Sequence, residues 1–189
     1  MKKRSIAILV AIAVASTVGV FAQSMNPMVG GAAMYRNKDI VDNAVNSADH
    51  TTLVAAVKAA GLVPTLKSKG PFTVFAPTNE AFAKLPAGTV DSLLKPENKA
   101  TLTKVLTYHV VAGTYDSKAL TALIKKGDGT AELKTVSGGT LTLTAGGNDM
   151  MANRIMVKDE KGNTANVTIA NVRQSNGVIH VVDSVLLPN

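Results

Sequence analysis

The spacing of apolar residues changes period part-way along the chain. In the first half it is helical. Ile40, Val41, Ala44 and Val45 recur at helical spacing behind Asp39, which can cap a first turn. Leu53, Val57 and Ala60 form one face of a second helix, with Val54 beside them, Asp49 or Ser47 as its cap and Gly61 at its end. Residues 62–66 add an apolar, helical turn before Gly70-Pro71. A run of aromatic and β-branched residues at 72–76 then predicts a buried strand. Pro77 cannot donate to a ladder and ends it. Thr78 is placed to cap a short helix, with Glu80 in its first turn and Phe82 in position to staple against Pro77. Further on, Thr89 is expected to cap residues 90–94, and Pro96 suits the start of a helix carrying Leu102, Val105 and Leu106. Residues 108–111 read as a strand leaving that helix. Asp116 or Ser117 caps a run through Leu120, Leu123 and Ile124, which Gly127-Asp128-Gly129 terminates.

The second half has a period of two. Leu133 and Val136, then the strict alternation of residues 140–144, predict strands joined by a two-residue turn at Gly138-Gly139. Residues 155–158 and 164–169 flank Asp159-Glu160-Lys161-Gly162, a second hairpin signal. Residues 171–173 lead through Ser175-Asn176-Gly177 into a strand over 178–182. Helices followed by an antiparallel meander make an α+β pattern, with no internal repeat and one domain.

The N-terminus stands apart. Lys2, Lys3 and Arg4 precede an apolar stretch at 6–21, and Val20-Phe21-Ala22 suits a cleavage site before Gln23. Residues 1–22 are therefore expected to be a secretory signal peptide, placing the chain in the periplasm or outside the cell, with no stable membrane insertion after cleavage. Residues 23–35 mix Met, Gly and Ala without a period and read as a flexible leader, although Met34 and Tyr35 are able to dock; the folded domain is expected over 36–188. Three of the seven net positive charges belong to the signal segment, leaving +4. The remaining charges alternate in sign apart from Lys125-Lys126, as on a solvated surface rather than along the basic stripe of a nucleic-acid binder. The chain has no cysteine, which removes disulfides, thiolate metal sites and thiol nucleophiles.

Three stretches, in order, carry a resemblance. Thr73-Val74-Phe75-Ala76-Pro77-Thr78-Asn79-Glu80-Ala81-Phe82 resembles the first motif of the fasciclin-like (FAS1) domain. Leu106-Thr107-Tyr108-His109-Val110-Val111-Ala112-Gly113 is similar to its tyrosine–histidine motif, and residues 177–188 look like its second motif. The resemblance covers about residues 36–188. It implies a FAS1 fold, a β-sandwich or wedge packed against several short α-helices. It also implies a non-catalytic adhesion module for cell–cell or cell–matrix contact, whose partner is a cell-surface or extracellular matrix protein or polysaccharide. In animal members the tyrosine–histidine motif is linked to integrin binding, so the resemblance implies Tyr108 and His109 as binding residues. Asn37-Lys38-Asp39-Ile40 echoes an adhesion tetrapeptide of the family, but its place at the domain start reads as a helix start.

Residue chemistry adds little that is catalytic. His50, His109 and His180 share no metal-ligand spacing. Set among valines, His109 and His180 read as buried imidazoles bonded to backbone, with Tyr108 a core or edge residue. No Gly-x-Ser-x-Gly elbow occurs. Asp149, Glu132 and Asp183 show no pairing, and Asp183 reads as a turn or cap residue. Gly138-Gly139 and Gly146-Gly147 lack the strand–helix context of a phosphate loop. Neither enzyme activity nor a cofactor is expected. Asn166-Val167-Thr168 matches a glycosylation sequon inside a predicted strand. The alternative function is an exported carrier of a small apolar ligand, a pigment or lipid, suggested by the aliphatic composition and by Met150-Met151 and Met156.

Overall fold

The computed structural model describes residues 26–146 and 154–189. The signal-peptide reading at 1–22 and the residues Gly147, Asp149 and Met150-Met151 lie outside the described residues.

The described chain begins with a small antiparallel hairpin, β1 (Met28–Val29) and β2 (Ala32–Ala33). Part of the stretch expected to be a flexible leader is therefore structured. Val29 and Met34 are buried in the core, and the backbone of Ala48 reaches back to Gly30 O over 3.0 Å. α1 (Ile40–Ala44) follows, with Asp39 accepting a bond from Asp42 N–H as its cap. α2 (Thr51–Ala60) is preceded by a 3-10 turn, Ala48–His50, and ends on Gly61 in a left-handed conformation. Neither Asp49 nor Ser47 caps α2: the Ser47 hydroxyl is engaged 2.9 Å from His50 Nδ1 instead. α3 (Val63–Lys67) leads to β3 (Phe72–Pro77), which extends one residue past the expected end. α4 (Asn79–Ala83) starts on Thr78, whose Oγ1 accepts from Ala81 N–H at 3.2 Å. At α5 (Thr89–Leu93), Gly88 rather than Thr89 holds the cap position, because the chain enters there with φ +79°.

α6 (Lys99–Tyr108) runs further than its pattern predicts, and β4 (Val110–Ala112) is correspondingly shorter than the expected strand at 108–111. The cause is local. The last turn tightens so that His109 N–H donates to Leu106 O, which leaves the Val105 carbonyl without its helical donor. His109 Nδ1 takes that carbonyl at 2.8 Å, and the imidazole becomes the helix stop. α7 (Ser117–Lys126) is capped by Asp116, which accepts from Ala119 N–H, and carries Lys125 and Lys126 at its negative end.

The sheet strands follow: β5 (Thr130–Lys134), β6 (Thr140–Ala145), β7 (Ile155–Lys158), β8 (Thr164–Gln174) and β9 (Gly177–Val182). The connection after β5 is residues 135–139, longer than the expected glycine pair, and Val136 is exposed on it. β5 to β9 form the antiparallel meander that the alternation predicts. What the pattern does not contain is the pairing of β9 with β3, which is parallel and runs from Phe72 opposite Gly177 to Pro77 opposite Val182. The result is one seven-stranded sheet in the order β4-β3-β9-β8-β7-β6-β5. β8 bends through two register shifts between Val167 and Val172, with Asn171 at φ +63°. That bend curls the sheet until its edges nearly meet, where Val111 bridges Thr135 and Val136 N–H reaches Val110 O at 2.7 Å.

A near-closed sheet divides the core. Inside the curl, with α7 over it, lie Phe75, Tyr108, Leu120, Leu141, Leu143 and Leu186, all fully buried. The opposite face of β3 and β9 packs Val74, Ala76, Ile179 and Val181 against α1, α2 and α6.

Candidate functional site

The residues of all three motifs converge around β3 and β9. Phe75 projects into the curled sheet and stacks on His180, with ring centroids 5.7 Å apart and planes 26° apart. His180 Nε2 donates to Tyr115 O at 2.8 Å, while its Nδ1 has no partner among the described residues. His109 is bonded at both ends, because Leu186 N–H donates to its Nε2 at 3.0 Å while Nδ1 holds Val105. That pattern requires the neutral imidazole. Burial pushes its pKa down to about 4, against opposing pulls from the Val105 carbonyl it bonds and from Asp159.

Tyr108 is fully buried. Its hydroxyl donates to Thr140 O at 2.7 Å and accepts from Glu160 N–H at 3.1 Å, joining α6 to β6 and to the β7–β8 turn. Burial pushes the phenol up to about 12. Neither residue of the tyrosine–histidine pair offers a side chain to solvent, Tyr108 being 0% and His109 2% exposed. Asp183 accepts from Asn166 N–H and from Asn166 Nδ2, both at 2.8 Å, and so ties the end of β9 to β8. The sequon asparagine is thus held within the sheet. His50 is buried beside Ser47, and burial lowers its pKa against an opposing pull from the Ala76 backbone; its Nε2 closes no hydrogen bond among the described residues.

Between the helices and β3–β9 lies an apolar cavity of about 70 Å³, with His50 among its lining residues. This is well below the ~150 Å³ of an apolar cavity that holds benzene. Among the described residues no group of three or more His, Asp or Glu is placed to hold a metal ion.

A second feature is not visible in the linear charge pattern. At the opposite end of β3 and β9 from Pro77, Arg36, Lys69 and Arg173 line an open polar cleft of about 320 Å³ together with Pro71, Thr114 and Ser175. Among the described residues no carboxylate lines it. The three cations come from stretches far apart in the chain. A signal existed in the turn residues Gly70-Pro71 and Ser175-Asn176-Gly177, which mark two loops, but nothing local says that the loops meet.

Fold and site together define a class: a small α+β domain in which a curled sheet is plugged by helices and the motif side chains hold the domain together. A model of the Fasciclin domain matches residues 48–188, and the chain belongs to the fasciclin (FAS1) family. It is 49% identical over 163 residues to Protein sll1483 of Synechocystis, which covers 85% of this chain and 79% of that protein. It is 34% identical over 171 residues to the cell surface glycolipoprotein MPB83 of Mycobacterium bovis, covering 87% of this chain and 68% of the relative. Among solved structures, the FAS1 domain pair of the insect cell adhesion molecule fasciclin I superposes with a TM-score of 0.68 at 19% identity, over 80% of this chain and 51% of the other. That likeness establishes the fold. Among the described residues no helix is long and apolar enough to cross a membrane.

Proposed function

We propose that the chain is an extracytoplasmic, non-catalytic FAS1 module that mediates contact between a cell surface and its surroundings. The observation that carries this reading is where the motif side chains go. Thr78, Tyr108, His109 and Asp183 are each engaged inside the domain, so the motifs supply a rigid body and leave recognition to its exterior. Family membership and a relative whose name places it at the cell surface support the setting, as does the secretory pattern of residues 1–22. Tyr108 and His109 act in this reading by holding α6, β6 and the C-terminal segment in register, and a partner feels them through the surface they support.

The carrier of a pigment or lipid is the weaker reading, because the interior cavity of about 70 Å³ is too small for either. The full chain, purified from its host, is expected to be retained on cells, polysaccharide or matrix protein above a size-matched control. Retention equal to the control would overturn the adhesion reading, and a co-purifying chromophore or lipid would favour the carrier.

A further inference from the structure

The basic cleft is built rather than incidental. Its floor is a close approach of two backbones. Phe72 N–H donates to Asn176 O at 3.0 Å, and a Cβ on Gly70 would sit 2.2 Å from that same oxygen. A Cβ on Gly177 would sit 2.1 Å from Phe72 O, so both loops need glycine to meet here. Asn176 is buried and locks three elements at once. Its Nδ2 donates to Leu66 O at 2.7 Å and Ser68 O at 2.9 Å, while its Oδ1 accepts from Ile40 N–H at 3.1 Å. The segment bearing Arg36 is clamped in the same way. Asn43 accepts from Tyr35 N–H at 2.9 Å and donates to Tyr35 O at 2.7 Å, and its Nδ2 also bonds Gln174 Oε1 on the cleft wall.

On this rigid frame the charge is one-sided. Arg36, Lys38 and Lys69 form no salt bridge among the described residues, and Arg173 alone is shared, with Asp116 at 2.7 Å. Tyr35, next to Arg36, is 45% exposed and carries the Lys38 ammonium 5.1 Å from its ring centre. Unpaired cations in a preorganised, solvent-open cleft attract a fixed anion, and a guanidinium fork matches a carboxylate or sulfate. The rest of the lining narrows the chemistry. Thr114 and Ser175 offer hydroxyls, and Pro71 offers an apolar ring face. Hydroxyl partners, an apolar plate and cations side by side suit a sugar ring that bears an acid. A nucleic acid would call for a longer basic track with stacked aromatics than this local cleft provides.

We infer that the cleft between residues 69–71 and 173–177, with Arg36 at its rim, binds an acidic polysaccharide through its ring carboxylates or sulfates. This rests on the surface-contact function proposed above and names one partner class and one place for it.

The test uses the full chain on immobilised alginate, on dextran sulfate and on uncharged dextran, with a duplex DNA of similar charge as competitor. Expected is salt-sensitive retention on alginate, dextran sulfate or both, none on dextran, and at least a tenfold loss in Arg36→Ala/Lys69→Ala at unchanged melting temperature. Which acidic matrix retains the chain separates carboxylate from sulfate. A second readout is independent of adhesion: alginate oligomers should shift the backbone amide resonances of Ser175 and Gly177 while leaving those of β5 and β6 in place. Three results would each overturn the inference: equal retention of the double variant, equal retention on uncharged dextran, or displacement by DNA as efficient as by free alginate. A chain that adheres to cells but ignores all acidic matrices loses the cleft assignment and keeps the surface function; a chain that binds alginate oligomers at the cleft but fails to adhere to cells does the reverse.

Discussion

The two ends of the parallel pair β3–β9 are made from the same strands and finished differently. At the Pro77 and Val182 end the polar groups of Thr78 and Asp183 are spent on the domain's own backbone. Thr78 N–H reaches Val182 O at 3.3 Å, Asp183 ties to Asn166, and Lys84 Nζ covers Asp183 O at 2.6 Å. At the Phe72 and Gly177 end the backbone is just as tightly joined, yet Arg36 and Lys69 are exposed and form no salt bridge among the described residues, and Arg173 alone is shared, with Asp116. The contrast separates two uses of polar residues. One set satisfies buried backbone groups, where an unmet partner would be costly. The other remains hydrated and costs the fold little, so it is available to a partner.

Substitutions can break that contrast. The largest effect should come from Phe75→Ala, which removes a fully buried ring stacked on His180 and should cost about 3–5 kcal/mol. It would appear as a large drop in melting temperature; an unchanged transition would show that the inner core does not depend on this corner. Next comes acid. His109 titrates at about 4 in the folded chain, below the ordinary value of 6.5, and burial lowers His50 and His180 in the same direction. The unfolded chain therefore takes up protons first as pH falls. Stability should be full above about pH 6.5 and decline towards pH 4, by on the order of 3 kcal/mol for His109 alone at about 1.4 kcal/mol per pH unit. Urea unfolding across that range measures it, and His109→Gln should flatten the slope.

Thr78→Ala tests the closed end at smaller scale. Loss of the cap bond to Ala81 N–H should cost about 1 kcal/mol by chemical denaturation, and a value near zero would mean that Pro77 and Phe82 alone fix the start of α4. The smallest stability effect belongs to the open end. Arg36→Ala and Lys69→Ala, both exposed, should stay within about 0.5 kcal/mol of the parent even as they remove binding. A loss of several times that size would place these cations in the structural set and erase the distinction between the ends.

The strand–proline–threonine corner was legible because each of its signals acts over a few residues: β-branched and aromatic side chains for the strand, a missing amide at Pro77, a capping hydroxyl at Thr78. The same holds for the Asp39 and Asp116 caps and for the alternation of β6. The tyrosine–histidine pair was misplaced for an equally physical reason. Residues 108–111 are β-prone by composition, but His109 can end a helix by taking the Val105 carbonyl, and that choice depends on Leu186 waiting at its other nitrogen. Docking of Met34 was foreseen, but burial of Val29 and the hairpin around it were unreadable, since a segment of glycines, alanines and methionines has no period until the body of the domain supplies a surface for it.

By itself, then, the sequence determined the local elements, the α+β class and the three ordered motifs, because capping, periodicity and turn chemistry are short-range. Tertiary structure decided everything that joins distant stretches: the parallel seating of β9 on β3, the curl that buries Tyr108, and the meeting of Arg36, Lys69 and Arg173 in one cleft. Along the chain those cations are separated by long intervals and interleaved with acids. Only closure of the backbone at Asn176, Gly70 and Gly177 brings them to one face, where Asp116 pairs with Arg173 alone.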